Sequence, residues 1–165
     1  MGKLLERHDV VFLQEVRGDA ADSDLYAREL VDHVVYTSHL IEGRHGGVMA
    51  IIKKSFLARF DDIIVQELLS GRVMRIMMIA DDITLNFINL HLDPSTDIAT
   101  KKDTLTTIFN HTDPSSMTSF LVGDYNVPDE AEGRFHPRQR RWTHYDRALG
   151  RWMGEMMTNF TELQQ

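Results

Sequence analysis

The chain has 165 residues, 42% of them hydrophobic and 26% charged, with a formal net charge of −7 and no cysteine. That is enough chain for one domain with a real core and too apolar for a disordered one. The missing cysteines exclude a disulfide framework and a thiolate metal centre, and the acidic balance argues against a passive nucleic-acid coat, though not against an enzyme that meets phosphates through a metal and a local basic patch.

Leu4 to Arg7 reads as the last turn of a helix whose beginning lies outside the chain, and Asp9 to Val16 as a strand. Leu25, Leu30 and Val31 predict a short amphipathic helix that runs into a strand near Val34–Ser38. Gly46-Gly47 opens the apolar run Val48–Ile52, which Lys53-Lys54 closes. Ile63 to Leu69 is a further strand. Val73–Ala80 and Ile83–Leu92 flank Asp81-Asp82 as a tight hairpin. Ser95 to Phe109 reads as a helix with Thr96 or Asp97 near its start, and Phe120–Gly123 as a strand. Gln139 to Met157 is the last long element, with Trp142, Tyr145, Leu149, Trp152, Met153 and Met156 at helical spacing.

Strands that are apolar throughout, some in hairpins and some crossed over by helices, predict an α/β sandwich of two packed sheets with helices outside. No repeat, low-complexity tract or linker divides the chain, so residues 1–165 read as a single domain. No apolar stretch is long enough to span a bilayer, and the first residues do not resemble a signal peptide, which predicts an intracellular protein, cytoplasmic or nuclear. No feature calls for an obligate protein partner.

The chemistry concentrates where apolar runs end in polar side chains. Val11-Phe12-Leu13-Gln14 ends at Glu15. A strand leaving the core for solvent accounts for Glu15 taken alone; as an oxygen ligand it suits Mg²⁺, which takes one or two carboxylates plus water and substrate phosphate. Phe87, Asn89 and His91 share one side of their strand because strand side chains alternate. His91 is either a satisfied strand-end histidine or a group that protonates or holds a phosphate oxygen near neutral pH. In Gly123-Asp124-Tyr125-Asn126 the glycine permits close backbone approach. Asp124 can orient or deprotonate water and Asn126 can hold a developing oxyanion, the plain alternative being an Asp/Asn turn before Pro128. Arg134, Arg138, Arg140, Arg141, Arg147 and Arg151 follow, as a solvated helix face or a phosphate-facing surface. Met74, Met77 and Met78 read as core filler, as do Met153, Met156 and Met157.

Five pieces in order, Leu13-Gln14-Glu15-Val16-Arg17-Gly18, Gly46–Ile51, Gly71-Arg72-Val73, Asn89-Leu90-His91-Leu92 and Val122-Gly123-Asp124-Tyr125-Asn126, resemble the endonuclease/exonuclease/phosphatase superfamily with its DNase I-like fold. The family usually carries Phe where this chain has Tyr125. The resemblance implies a four-layered α/β sandwich of two mixed sheets flanked by helices and Mg²⁺-dependent phosphoester hydrolysis, with Mn²⁺ as a substitute ion. Glu15 looks like the metal-binding glutamate. His91 looks like the histidine of DNase I-type and deadenylase-type members, where apurinic-endonuclease types tend to have tyrosine. Asp124 and Asn126 look like the catalytic aspartate and the phosphate-orienting asparagine, and Arg72, Asn89 and Asn126 are the expected phosphate contacts. The resemblance also implies that an asparagine-bearing first strand and C-terminal strands with an Asp-His pair are missing, so the fold is incomplete and turnover impaired. The substrate implied is nucleic acid, DNA or RNA. A phosphatase on lipid or nucleotide phosphoesters is the alternative enzyme, and a non-catalytic remnant of mobile-element origin is the alternative outside that class.

Overall fold

The structure is a computed structural model that describes residues 2–40, 46–113, 115–126, 135–136, 141–142 and 144–161. It divides into two compact units, Met1–Leu92 with Thr106–Tyr125, and Asp93–Leu105 with Asn126–Gln165.

The first unit opens with helix α1 (Gly2–Arg7) and strand β1 (Val10–Gln14). Helix α2 (Ala20–Glu29) starts where Asp19 accepts the N–H groups of Ala21 and Asp22 and Asp22 returns to the Asp19 N–H, a reciprocal cap. Of the residues expected on its apolar face, Leu25 and Val31 are exposed while Leu30 makes the core contact, joined by Tyr26. Strands β2 (His33–Ser38) and β3 (Val48–Lys53) follow, and β3 is the central strand of an antiparallel sheet ordered β1-β3-β2. Because β3 is central and covered on both faces, it reads as an unbroken apolar run and is buried from Val48 to Ile52.

After the short helix α3 (Lys54–Leu57) comes a second sheet, ordered β4-β5-β6-β7, from β4 (Asp62–Leu69), β5 (Val73–Ala80), β6 (Ile83–His91) and β7 (Thr118–Asp124). The predicted hairpin is present: Ala80 pairs with Ile83 across Asp81-Asp82. Strand β7 joins β6 in parallel, with His91 opposite Asp124. Helix α4 (Ile98–Phe109) lies between them in sequence; parallel neighbours need such a crossover.

The two sheets pack through Val48, Ala50 and Ile52 of β3 and Met74, Ile76 and Met78 of β5, with Phe12, Tyr36 and Phe87 at the margin. Fully burying one such side chain stabilises the fold by about 1.5–3 kcal/mol. The aromatic rings of Phe12, Phe87 and Phe120 continue the seam, with centroids 5.5 and 4.9 Å apart. On the other face of the first sheet, Leu5, Val11, Met49 and Ile51 meet Tyr26 and Leu30. This is the layered α/β sandwich that the sequence predicts. Met74 and Met78 are indeed core.

In the second unit, β8 (Phe135–His136) and β9 (Arg141–Trp142) pair antiparallel and precede α5 (His144–Met156) and a 3₁₀ turn (Met157–Asn159). Trp142 therefore sits in a strand pair, not on the helix that its spacing predicted. Leu149 is buried, and Lys102 Nζ lies 5.3 Å from the centre of the Trp152 ring. Of the arginine cluster, Arg134, Arg138 and Arg140 lie outside the described residues. Among the described residues, no helix is long and apolar enough to cross a membrane.

Candidate active site at the ends of β1, β6 and β7

Strand alternation puts Phe12 and Gln14 on the face of β1 that meets the second sheet, and Phe87, Asn89 and His91 on the face of β6 that meets the first. Asn89 is fully buried and its amide is consumed by protein. Its Nδ2 donates to the carbonyls of Leu13 (3.2 Å) and Met49 (3.0 Å), and its Oδ1 accepts from Gln14 Nε2 (2.7 Å). A phosphate contact was expected of Asn89. The geometry corrects that: the side chain clamps the end of β1 to β3 and β6. Gln14 is the partner that the sequence did not single out, although its place one alternation after Phe12 was the available signal.

The clamp holds β1 up to the point where it turns. Glu15 has φ 56°, in the left-handed region, which costs a non-glycine residue about 1–2 kcal/mol. The turn is closed by the Val16 N–H to the Gly47 carbonyl at 3.1 Å. Gly47 has to be glycine: a Cβ there would stand 2.2 Å from the Val16 oxygen. Strain at a residue that the surroundings fix so completely is a reason to look for function there.

Glu15 meets His91. Oε1 lies 3.4 Å from His91 Nε2, with the Glu15 side chain 64% exposed and the histidine 4%. The distance is within ion-pair range, yet Nε2 has no hydrogen-bond partner among the described residues and is buried. On its other side, His91 Nδ1 lies 2.9 Å from an Arg72 guanidinium nitrogen, and the His91 N–H donates to the Arg72 carbonyl at 2.8 Å. Arg72 leaves a turn with Gly71 at φ 61°, closed by its own N–H to Leu69 O at 3.0 Å. Ser38 braces that turn: its hydroxyl accepts the Gly71 N–H at 2.8 Å and donates to Glu67. Neither Ser38 nor Glu67 was singled out from sequence; the two are 29 residues apart, and no local spacing reveals their pairing.

Asp124 is the register partner of His91 on the neighbouring strand, and paired residues of adjacent strands project to the same face. It is exposed, and its carbonyl accepts the Leu92 N–H at 2.9 Å. Gly123 allows the approach: at φ 135° a Cβ would fall 1.9 Å from the Leu90 oxygen. So Glu15, His91, Arg72 and Asp124, drawn from four separate stretches of chain, gather at one end of the first unit. Asn126 belongs to the second unit, where it has φ 44° and its carbonyl accepts Lys101 Nζ at 3.3 Å. Tyr125, between them in sequence, has a buried hydroxyl with no partner among the described residues, and burial holds it well above its ordinary pKa. An open groove bordered by Leu30, His33 and Lys53 lies at the opposite end of the three-stranded sheet and holds none of these residues.

An exposed carboxylate on a rigid turn fits Mg²⁺, which binds through one or two carboxylates and completes its shell with water. Among the described residues, no three His, Asp or Glu side chains form a ready metal cage.

A family model described as the Endonuclease/Exonuclease/phosphatase family matches residues 1–162. Among solved structures, an AP endonuclease from Leishmania major is similar with a TM-score of 0.67 at 15% identity, over 95% of this chain and 59% of that one. The 3′ phosphatase NExo from Neisseria, bound to a product DNA hairpin, gives 0.62 at 14%, over 94% and 64%. D. rerio TDP2, complexed with a single-strand DNA product, gives 0.55 at 18%, over 76% and 51%. The chain thus spans between about half and two thirds of the length of these structures. A comparison with curated proteins found no match.

Proposed function

The chain belongs to the endonuclease/exonuclease/phosphatase family, and from that premise we propose that it hydrolyses phosphodiesters of nucleic acid with the help of Mg²⁺. The observation that carries the reading is the convergence of Glu15 on His91, 3.4 Å apart, with His91 in register with Asp124. These are a cation ligand, a proton-bearing imidazole and a water-orienting carboxylate at one sheet end. Mg²⁺ or Mn²⁺, when bound, would neutralise charge building up on the phosphoryl group.

Each residue then has a task. Glu15 would hold the ion, its carboxylate presented to solvent by the left-handed turn. Asp124, exposed at the end of β7, would orient the attacking water and take its proton. His91 Nε2, a buried nitrogen without a hydrogen-bond partner among the described residues, would hold a phosphate oxygen. Asn126 keeps the role of phosphate-holding amide that its motif implies. Nucleic acid is preferred as substrate because similar folds have been captured on DNA products and because the arginine cluster follows the motif.

The test is cleavage of a supercoiled plasmid and of a single-stranded RNA by the purified chain, with and without Mg²⁺, beside phosphate release from an inositol phosphate. Mg²⁺-dependent strand cleavage, lost in Asp124→Ala, is the expected result. Release from the inositol phosphate without strand cleavage would move the protein to the phosphatase class. Activity that survives Asp124→Ala would refute the assignment of the site.

A further inference from the structure

We propose that Arg72 is a positioning residue for His91: its guanidinium holds the imidazole as the tautomer that carries its proton on Nε2, on the side of Glu15. A guanidinium has donors and no acceptor, so a nitrogen 2.9 Å from it must accept. Nδ1 is therefore bare, and in the neutral ring the proton stands on Nε2. That is the nitrogen 3.4 Å from Glu15 Oε1. Which nitrogen carries the proton is commonly fixed by the bond that the other one makes, and the usual device is a carbonyl or carboxylate that accepts from Nδ1–H. Here the device is inverted.

The guanidinium lies beside Gly46. A Cβ on Gly46 would lie 3.2 Å from the Arg72 Cζ and 2.6 Å from a Leu40 methyl, at φ 120° where side chains are strained. The glycine pair thus does two things: Gly47 closes the Glu15 turn, and Gly46 leaves room for Arg72. The main chain adds a second tie, because Gly47 N–H donates to Gly71 O (3.0 Å) and His91 N–H to Arg72 O (2.8 Å). With His91 only 3% exposed, its ring has little room to turn over and exchange its nitrogens. This role differs from the phosphate contact that the motif suggested for Arg72. It rests on the phosphodiesterase reading only for its use, since the tautomer itself is independent of activity.

The experiment is a long-range ¹H–¹⁵N spectrum of the chain labelled in its histidine rings, with the His91 signals identified by their loss in His91→Gln. The expected spectrum has an unprotonated, hydrogen-bonded Nδ1 and a protonated Nε2. In Arg72→Met the Nδ1 resonance moves downfield as its donor is lost, or gains a proton; in Gly46→Ala it moves the same way by less. A wild-type spectrum with the proton on Nδ1 overturns the proposal without any variant, and so does an Nδ1 resonance that Arg72→Met leaves in place. Kinetics supply the second reading. A positioning role lowers kcat about tenfold in Arg72→Met with KM within twofold, whereas a phosphate contact raises KM. If the chain cleaves nothing while the ring shows the expected tautomer, the function has failed and the role of Arg72 in ordering the ring stands.

Discussion

Two arginines three residues apart, Arg72 and Arg75, anchor polar clusters on opposite faces of the same sheet, and the clusters have opposite characters. Arg75 is 8% exposed and surrounded by neutral acceptors: Nε donates to Asn86 Oδ1 at 2.9 Å, and one terminal nitrogen to Gln66 Oε1 at 3.2 Å, with His111 Nδ1 at 3.4 Å. Asn86 in turn donates to His111 O (3.0 Å) and Ser119 Oγ (2.9 Å). Burial pulls the Arg75 guanidinium down from its ordinary value, although it stays charged at neutral pH. This cluster is closed on itself and ties β4, β5 and β6 to the chain entering β7. At Arg72 the cluster is left open: His91 Nε2 has no hydrogen-bond partner among the described residues, and Glu15 is strained and faces water. Satisfied buried polarity serves the fold, while an unmet donor beside an exposed carboxylate is available to a ligand.

Perturbing each cluster in turn can break or sharpen that contrast. The largest effect is expected from Glu15→Gln, which keeps the shape and removes the charge. Its rate should fall about 10²–10³-fold, as for loss of a group that stabilises the transition state, with the melting point unchanged in the absence of metal. The upward shift of that melting point with Mg²⁺ should vanish too, because binding to the native state alone is what raises it. A wild-type melt insensitive to Mg²⁺ would remove Glu15 as a metal ligand.

Arg75→Ala should do the reverse. It leaves the buried Asn86 oxygen unpaired, Gln66 being exposed, and should cost about 1–3 kcal/mol in denaturant unfolding, while kcat per folded molecule stays within twofold. A loss of rate as large as that of Glu15→Gln would show that the two faces are coupled.

Tyr125→Phe should raise stability by about 1 kcal/mol, because it deletes a buried hydroxyl that lacks a partner among the described residues. Chemical denaturation measures this directly, and a destabilised variant would mean that the hydroxyl is bonded. The smallest effect concerns acid. The Thr100 backbone and hydroxyl hydrogen bonds lower the pKa of Asp97 at the start of α4. A depressed carboxylate contributes stability above its unfolded pKa and loses it as pH falls through the folded one. Asp97→Ala should thus lower stability slightly at pH 7, with the difference from wild type disappearing as the pH falls through the depressed pKa of Asp97, below the usual carboxylate range. A difference that persists at lower pH would assign the effect to helix propensity instead.

Much of this was legible in the chain. Apolar runs ending in Glu15, His91 and Asp124 marked strands and their termini, because a buried strand has to be apolar throughout and its polar groups collect where it emerges. Alternation placed Asn89 and His91 on one face, and Gly123 marked the close backbone approach that the strand makes to Leu90. Periodicity failed at Trp142, which pairs in a strand with Phe135, and at Leu25 and Val31, which spacing placed inward and which are exposed.

Residue types and their order thus determined the layers, the strand ends and which polar groups would emerge there. Only the tertiary structure decided which of those groups are spent. Asn89 is consumed by Gln14, Leu13 and Met49, and His91 finds Arg72 19 residues away. Those contacts depend on inter-strand register and on where two glycine turns bring separate strands together. A one-residue slip would turn each of these side chains to the other face, and no local pattern records it.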